Sequence, residues 1–593
     1  MAYLPDLTAT ATYRVMTEAF GGYDHNLRIA DGNWFEETNL TSAHYPLFSP
    51  RAKRGIVEEL TNPQGITAKE SLAYVEGDTL YYNGQPVQGI KLSTELVDCP
   101  KKLVGMGAYL CIFPDGVYVN TQDLTDCGPL GASFTATNQT ISLQPCRVDG
   151  TAYDLTDVTV SGVAPPDPVN GQYWIDNSGS VHVLKQYSAA SQSWVEIPTV
   201  YCKIQTSGIG KQFNAYDGVS ISGLTYSGEN ETLKAQIEAL NTDNVIRGKE
   251  DDYIIITGLI DQAYSYTGSM QVARKIPTMD HVCELDNRLW GCYYGMKDGV
   301  PVNEIYASAL GDPKVWNRFA GISTDSYVVS VGSDGPFTGM ISHLGYVLAI
   351  KEDCIHKIYG TMPSNFQIST TNCRGVQKGS ERSLCVVNER LYYKSRTDVC
   401  TYDGSLPVSI SEVFAGQAYS NARAGALGSK YYISMQDTVG DWHMFVFDSE
   451  RGIWHREDDT CAMMFTTFRD DLFYIDENTK CIMSAAGKSG TLEESVSWEA
   501  TSGIIGYEYP DFKYLSRFNL RVKMEEGSYC EIYVQYDSDG EWAKQGDLIG
   551  TSTQSFTVPV IPRRCDHMQI RLKGRGDVKI YSIAKILEVG SDA

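Results

Sequence analysis

Three stretches, LYYKSRTDVCTYDG at 391–404, KYYISMQDTVGDWHMFVFDS at 430–449 and LFYID at 472–476, repeat one pattern along the chain. Each opens with a strand-like segment that carries two adjacent aromatic residues. The second aromatic residue is Tyr393 in the first stretch, Tyr432 in the second and Tyr474 in the third, so they follow one another at steps of ~40 residues. In the first two stretches a turn and another strand-like segment come next. A period near 40 residues built only from strands is typical of β-propeller blades, which bury their faces by packing side by side around an axis.

The composition agrees with an all-β protein. The chain has 593 residues, of which 42% are hydrophobic and 21% charged, and it is rich in Tyr (38) and Gly (54), which suit strands joined by tight turns. The best helical pattern is at 231–241, where Leu233, Ile237 and Leu240 share a face. No run of about 18 apolar residues occurs, so no membrane span is predicted. The start, MAYLPD, lacks the basic and apolar regions of a secretory signal peptide.

The pattern also suggests how the chain is divided. Blade-like hairpins appear from about 69, break at Pro165-Pro166-Asp167-Pro168, and resume near Tyr253. After Gly487 the strands alternate with period two, as in a half-buried antiparallel sheet. We therefore predict an all-β propeller of roughly six to eight blades. The predicted parts are an extended arm with the first strands (1–68), the first blades (69–149), an inserted β-rich domain (150–248), the remaining blades (249–489) and a C-terminal β-sandwich (490–593).

The charge balance limits the partners. Asp and Glu number 73 against 49 Lys and Arg, a formal net charge of −24. This excess argues against a nucleic-acid-binding surface, which needs clustered basic residues to neutralise phosphates. Two interpretations stay open: the acidic residues serve solubility, or they form a wall past which DNA slides without sticking.

Metal and cofactor sites are not predicted. The 15 cysteines are scattered with no Cys-x-x-Cys pair, and Cys111, Cys292, Cys385 and Cys530 lie in apolar strands, as expected of buried thiols in a protein folded in a reducing cytoplasm. The DSDG turn at 537–540 starts like a calcium loop but lacks the closing acidic residue, so we interpret it as a hairpin turn. The histidines are dispersed and are expected to be packed or hydrogen-bonded.

Catalytic motifs are also missing. There is no Gly-x-Ser-x-Gly elbow, no His-Glu-x-x-His and no phosphate-binding glycine loop, and the paired acids at 458–459 and 470–471 look like solvated turn residues. The aspartate boxes that sialidase-type propellers repeat occur only in fragments. The sequence therefore predicts no catalytic residue and a protein that is not an enzyme. Glycan cleavage stays open as an alternative, because the separation of two carboxylates is a three-dimensional quantity.

Four aromatic residues of the inserted domain, Tyr173, Trp174, Tyr187 and Trp194, are candidate glycan contacts, since aromatic rings stack on sugars. The other interpretation is that they form the small core of the insertion, which needs aromatic volume to hold itself together.

Four places in the chain resemble the β-propeller tail proteins of bacteriophages, among them the tail nozzle or DNA-stabilisation proteins of short-tailed phages. They are the arm from FGGYD at 20–24 to SPR at 49–51, CRGV at 373–376 with GSERS at 379–383, DVCTYDGSLP at 398–407 with IS at 410–411, and VPVIPRR at 558–564 with LKGRG at 572–576 and IYSI at 580–583. The segment DPVNGQYW at 167–174 also resembles small modules of other phage structural proteins.

The resemblance implies a structural subunit of a virion tail, made in the bacterial host cytoplasm. Several copies, six by the resemblance, would form a ring with other tail or connector proteins around a channel that retains DNA and guides its ejection without specific binding. One alternative is a tail protein that binds host-surface glycan through the insertion, and a less favoured one is a glycan-cleaving propeller.

Overall fold

The computed structural model describes residues 11–94, 100–297, 299–509 and 511–589. Strands make up nearly all of its regular structure, which confirms the prediction of an all-β protein. The single α-helix in these ranges, Glu231–Ala239, lies where the apolar spacing predicts one, and the Asn230 side chain caps it by accepting hydrogen bonds from two backbone N–H groups. No helix in the described ranges has the length and apolar character that crossing a membrane requires.

Seven antiparallel sheets surround an axis and form a seven-bladed propeller in the described part of the chain. The blades are numbered 1 to 7 in chain order. Blade 1 has the strands Pro63–Lys69, Ser71–Glu76, Thr79–Tyr82 and Gln85–Pro86. Blade 2 has Lys102–Met106, Tyr109–Phe113, Val117–Asn120 and Asp123–Pro129. Blade 3 has His281–Leu285, Arg288–Lys297, Val300–Ala307 and Tyr327–Ser330. Blade 4 has Gly339–His343, Tyr346–Ile350, Cys354–Tyr359 and Gln367–Asn372. Blade 5 has Cys385–Val387, Arg390–Lys394, Val399–Tyr402 and Val408–Ser409. Blade 6 has Tyr419–Leu427, Lys430–Asp437, Trp442–Asp448 and Ile453–Arg456. Blade 7 has Ala462–Phe468, Asp471–Asp476, Cys481–Ser484 and Gly55–Glu59, with Thr491–Leu492 as a short fifth strand.

The aromatic pairs that set the period of the sequence lie on the second strands of blades 5, 6 and 7. Tyr393 and Tyr474 are almost completely buried there, between neighbouring blades. Each blade thus begins one strand earlier than the sequence pattern suggests. The reason is that first strands line the axis and carry no aromatic pair, as in Ala462–Phe468.

The propeller is closed by a strand from the beginning of the chain. Gly55–Glu59 pairs antiparallel with Cys481–Ser484 and completes blade 7. Because the two ends of the propeller share one sheet, the ring cannot open without breaking the hydrogen bonds of that sheet.

The arm is not a separate extended segment, because two of its strands belong to the C-terminal sandwich. Ala11–Thr17 pairs with Val578–Val589, and Trp34–Thr38 pairs with Ser497–Ser502. Residues 1–10 of the predicted arm lie outside the described residues. The first sandwich sheet has the strand order Ala11–Thr17, Val578–Val589, Lys513–Met524, Thr553–Pro559. The second has the order Trp34–Thr38, Ser497–Ser502, Met568–Arg575, Tyr529–Tyr536, Ala543–Ile549.

The insertion between blades 2 and 3 is larger than the predicted 150–248. Its main sheet, from Ala132 to Arg274, has the strand order Asp243–Val245, Gly218–Ser222, Tyr264–Arg274, Ala132–Cys146, Tyr201–Gln205, Tyr253–Thr257, Gly248–Glu250. Ala132–Cys146 and Tyr264–Arg274 fall within the ranges predicted as blades, but they pair with each other in the middle of this sheet. A second sheet, which we call the small sheet, has the strands Thr159–Ser161, Tyr173–Asp176, Val183–Ser188 and Ser193–Glu196.

A buried ionic cluster joins the arm to the propeller. The Arg54 guanidinium lies 2.6 Å from the Glu457 carboxylate and 2.8 Å from that of Asp458, and only 5% of the Arg54 side chain is exposed. Arg51 donates to the Glu493 carboxylate at 2.8 Å. The cluster therefore connects the segment before blade 7, the end of blade 6 and the chain that leads to the sandwich.

We expect this cluster to make the fold sensitive to acid. Burial by itself would raise the pKa of Asp458 and of Glu493, but the neighbouring arginines and hydrogen bonds outweigh it and lower both. A carboxylate with a lowered pKa stabilises the folded state above its unfolded-state pKa of about 4, and that contribution is lost as pH falls through the lower, folded-state pKa.

The midpoint of urea unfolding should therefore fall when pH is lowered from about 7 to about 3. In Arg54→Met the same change in pH should lower stability less. Glu457 and Asp458 have lost Arg54 as their partner in this variant, so protonation removes an unpaired buried charge instead of breaking an ion pair. Equal losses in the two proteins would contradict this account.

Candidate functional site

The small sheet of the insertion holds all four aromatic residues that the sequence singles out. Its last three strands are antiparallel, with Trp174 opposite Lys185 and Tyr187 opposite Trp194. Partners across two strands lie on the same face of a sheet, and so do residues two apart along one strand. Trp174, Lys185, Tyr187 and Trp194 therefore share one face, which we call the aromatic face.

The opposite face of the small sheet makes its core. Ile175 and Leu184 are buried there against Tyr153 and Val200. Tyr173 packs on this core side, with its ring edge-on to that of Tyr153 at 5.5 Å between centroids. The core of the small sheet thus consists mainly of aliphatic residues and Tyr153. Of the four candidates, only Tyr173 packs against it.

The aromatic face consists of three rings in mutual contact. The Trp194 ring lies edge-on to Trp174 at 5.4 Å and to Tyr187 at 5.5 Å between centroids. Trp174 is 5% exposed and donates its ring N–H to the Ser161 carbonyl at 3.0 Å, whereas Tyr187 and Trp194 are half-buried. The hydrogen bond to the edge strand fixes the Trp174 ring, and Tyr187 and Trp194 present ring surface to solvent.

A neutralised cation lies beside the rings. The Lys185 ammonium sits 4.9 Å from the Trp174 ring centroid and donates to the Asp176 carboxylate at 2.8 Å. The hydrogen bonds from Lys185 and from Ser178 lower the pKa of Asp176, so its carboxylate is ionised at neutral pH. The face therefore combines aromatic surface with the Lys185–Asp176 ion pair, a composition suited to an uncharged ligand with both apolar and hydroxyl-bearing sides.

A different kind of cavity lies on the propeller axis. It has a volume of about 300 Å³ and is lined by the first strands of blades 1 to 4, 6 and 7 and by the segment around the 3-10 helix Glu381–Ser383. Glu381 is the one carboxylate among its lining residues, 3.5 Å from the Arg382 guanidinium. Two carboxylates are needed for the usual hydrolysis of a glycosidic bond, so this cavity by itself lacks that pair.

Thiols and metal ligands offer no further site in the described residues. Their 14 cysteines are free; Cys111, Cys292 and Cys530 are buried as expected, and Cys385 is partly exposed. No group of three or more His, Cys, Asp or Glu in the described ranges is arranged to hold a metal ion.

Comparison with known proteins returns matches among solved structures alone. No family model and no curated protein sequence matches the chain. An exo-β-1,3-galactanase from Phanerochaete chrysosporium in complex with β-1,3-galactotriose is 9% identical with a TM-score of 0.14, over 77% of this chain and 100% of that one. The same enzyme with galactose is 10% identical with a TM-score of 0.15, over 74% and 97% of the two chains. An engineered GH43 glycoside hydrolase with endo-xylanase and exo-arabinofuranosidase activity is 10% identical with a TM-score of 0.19, over 52% and 96%.

These matches correct one prediction from the sequence. All three structures are glycoside hydrolases, so the prediction that the protein is not an enzyme is wrong by this comparison and is withdrawn. At such TM-scores the matches carry no argument for a particular substrate or reaction. The resemblance to phage tail proteins is not tested by them and stays a prediction.

Proposed function

We propose that the protein binds a glycan through the aromatic face of the small sheet. The observation that supports this most is that Trp174, Tyr187 and Trp194 gather on the face opposite the core, where Tyr187 and Trp194 present ring surface to solvent and the buried Trp174 supports them. Tyr173, which packs on the core side, drops out of the proposed contacts.

The charges around the face narrow the class of glycan. Lys185 is paired with Asp176, and Glu196 lies opposite Lys185 on the neighbouring strand. The chain as a whole carries a formal charge of −24. Like charges repel, so we expect neutral sugars to bind and sugars with carboxylate or phosphate groups to be disfavoured.

Replacing Trp194 by alanine should weaken glycan binding by at least about tenfold, because a partly exposed Trp at the centre of a contact often dominates binding energy. The full-length protein would be screened on a glycan array, and the best neutral glycan titrated by calorimetry. The matched control is Trp542→Ala, since Trp542 is another half-buried Trp but lies in the sandwich, with the Arg571 guanidinium 4.0 Å from its ring centroid. Absence of binding to any glycan, or equal affinity in the two variants, would refute the proposal.

We further propose that the protein acts as a structural subunit of a phage tail, as the resemblance implies. One observation favours this role: the arm contributes strands to both sandwich sheets and to blade 7, which makes propeller and sandwich one stiff body. The axial cavity of about 300 Å³ has the volume of a small-ligand pocket, so a DNA channel would have to form between copies. Immunogold labelling of virions with antibody against the full-length protein tests the role, and virions without tail label would contradict it.

A further inference from the structure

A second cavity, of about 330 Å³, lies where the arm meets blade 6, and we call it the seam cleft. Tyr23 and Glu36 line it from the arm, Gln417 from the loop before blade 6, and Tyr419, Asp437, His443 and Arg456 from blade 6 itself. It is separate from the aromatic face and from the axial cavity. Clefts between two packed parts of a protein are a common place for small-molecule sites.

The Tyr23 hydroxyl points to a ligand. Tyr23 is 4% exposed, and its ring packs between His25, Phe414 and Phe445. Its backbone N–H donates to the Trp454 carbonyl, but its hydroxyl has no hydrogen-bond partner among the described residues. Burial, followed by the nearby Glu36 carboxylate, raises the pKa of Tyr23, so the hydroxyl keeps its proton and can donate. The hydroxyl lies on the cleft and makes no hydrogen bond to the described residues, so it can bond to a ligand group there.

One wall of the seam cleft is a fixed carboxylate. Asp437 accepts hydrogen bonds from the backbone N–H groups of Val439, Gly440 and Asp441, and its second oxygen lies 3.0 Å from Nε2 of His443. The hydrogen bond from His443, supported by those backbone groups, lowers the pKa of Asp437 to about 2. The carboxylate is therefore ionised and held in place.

The same wall fixes the tautomer of His443. Its Nδ1 lies 3.2 Å from the Arg456 guanidinium, which can only donate, so Nδ1 accepts and Nε2 carries the proton given to Asp437. Across the cleft, Glu36 is held by His25 at 3.0 Å, and the Tyr419 hydroxyl donates to the Gln417 side-chain oxygen at 2.6 Å. That hydrogen bond orients the Gln417 side chain, and its amide N–H₂ group can then donate to a ligand.

We propose that the seam cleft binds one unit of a neutral, polyhydroxylated ligand, that is, a monosaccharide or one residue of a saccharide. Sugar hydroxyls donate to carboxylates such as Glu36 and accept from donors such as the Tyr23 hydroxyl and the Gln417 amide. Of the aromatic lining residues, Tyr23 and Tyr419 are 4% and 6% exposed and Phe445 is completely buried, so the contacts that the cleft offers a ligand are mainly polar. The volume is at the lower end of ligand pockets, which fits one ring. Among the lining residues the two carboxylates of Glu36 and Asp437 outnumber the one guanidinium, of Arg456, which disfavours an anionic ligand.

This site does not depend on the glycan site proposed for the aromatic face, and the test keeps the two apart. Full-length Trp194→Ala protein would be mixed with glucose, galactose, mannose and N-acetylglucosamine in turn, and binding measured by saturation-transfer-difference NMR. At least one of the four sugars should give a signal, because the seam cleft is intact in this variant. If none of them binds, the proposal is overturned.

Two variants in the same background locate the binding. Tyr23→Phe removes only the hydroxyl and should weaken binding by about threefold to tenfold, the effect of one hydrogen bond. Gln417→Ala changes an exposed side chain, so it should fold normally and also weaken binding. The control, Tyr402→Phe, makes the same change at another buried tyrosine, in blade 5, and should leave affinity unchanged. Equal affinity in Tyr23→Phe, Gln417→Ala and the control would show that the sugar binds elsewhere.

If the cleft variants weaken sugar binding while Trp542→Ala and Trp194→Ala do not differ on the array, the aromatic-face proposal fails and this one stands.

Discussion

Replacing Arg54 by alanine is expected to lower the free energy of unfolding by about 3–5 kcal/mol. The Arg54 side chain is 5% exposed and pairs with Glu457 and Asp458 at 2.6 and 2.8 Å, and it also donates to the Thr460 hydroxyl at 2.9 Å. Removing it leaves the Glu457 carboxylate, itself 5% exposed, without its closest partner in a buried place. Most of the loss is the cost of that uncompensated charge rather than the net worth of the ion pair.

The measurement is urea unfolding of full-length protein followed by far-UV circular dichroism at neutral pH. Lys91→Ala is the control, because Lys91 pairs with Asp78 at 3.1 Å but its side chain is 82% exposed. Surface pairs of this kind contribute at most about 1 kcal/mol. A loss in Arg54→Ala as small as that in the control would mean that the cluster does not hold arm and propeller together.

The second large effect is expected for Trp454→Ala, at about 3–5 kcal/mol of unfolding free energy. Trp454 is 2% exposed, its ring lies 5.0 Å from both Phe414 and Phe447, and its ring N–H donates to the Ile410 carbonyl at 2.7 Å. Truncation would leave a cavity and an unpaired carbonyl in the core of blade 6. The backbone carbonyl of Trp454 also accepts from Tyr23, so a shift here should loosen the arm as well.

Circular dichroism is the suitable readout for this variant too, since removing a Trp changes the fluorescence directly. Val439→Ala serves as the control in the same blade, because Val439 is 85% exposed and should change stability by no more than about 0.5 kcal/mol. If Trp454→Ala unfolded at the same urea concentration as Val439→Ala, the aromatic cluster of blade 6 would not be a main source of stability.

The blade rhythm could be predicted because it is a local property of the chain. Second strands such as Arg390–Lys394 and Lys430–Asp437 are buried between blades, and that burial selects apolar and aromatic residues in consecutive positions. The limits of the insertion were missed for the converse reason. Ala132–Cys146 and Tyr264–Arg274 fall within the ranges predicted as blades, and only their pairing with each other, across the whole insertion, places them outside the propeller.

The sequence predicted the residues of the aromatic face only in part. Tyr173 and Trp174 are adjacent on one strand, so they must point to opposite faces of a sheet, and this signal was present in the sequence. Which face is the core depended on Tyr153 and Val200, which lie outside the small sheet and pack against Ile175 and Leu184. The seam cleft had no local signal, because Tyr23 and Asp437 are brought together only by packing of the arm on blade 6.

By itself, the sequence determined the all-β class, the repeat of the propeller and the short helix, since each rests on the spacing of residues within a few turns of chain. The tertiary structure alone decided that the arm closes blade 7 and joins the sandwich, as in the pairing of Ala11 with Val589. It also decided which aromatic rings face solvent and which polar groups meet in a cleft. The arm pairings and the cleft depend on contacts between residues hundreds of positions apart, and the aromatic face depends on residues outside the small sheet. Such partners are chosen by packing and leave no periodic mark in the chain.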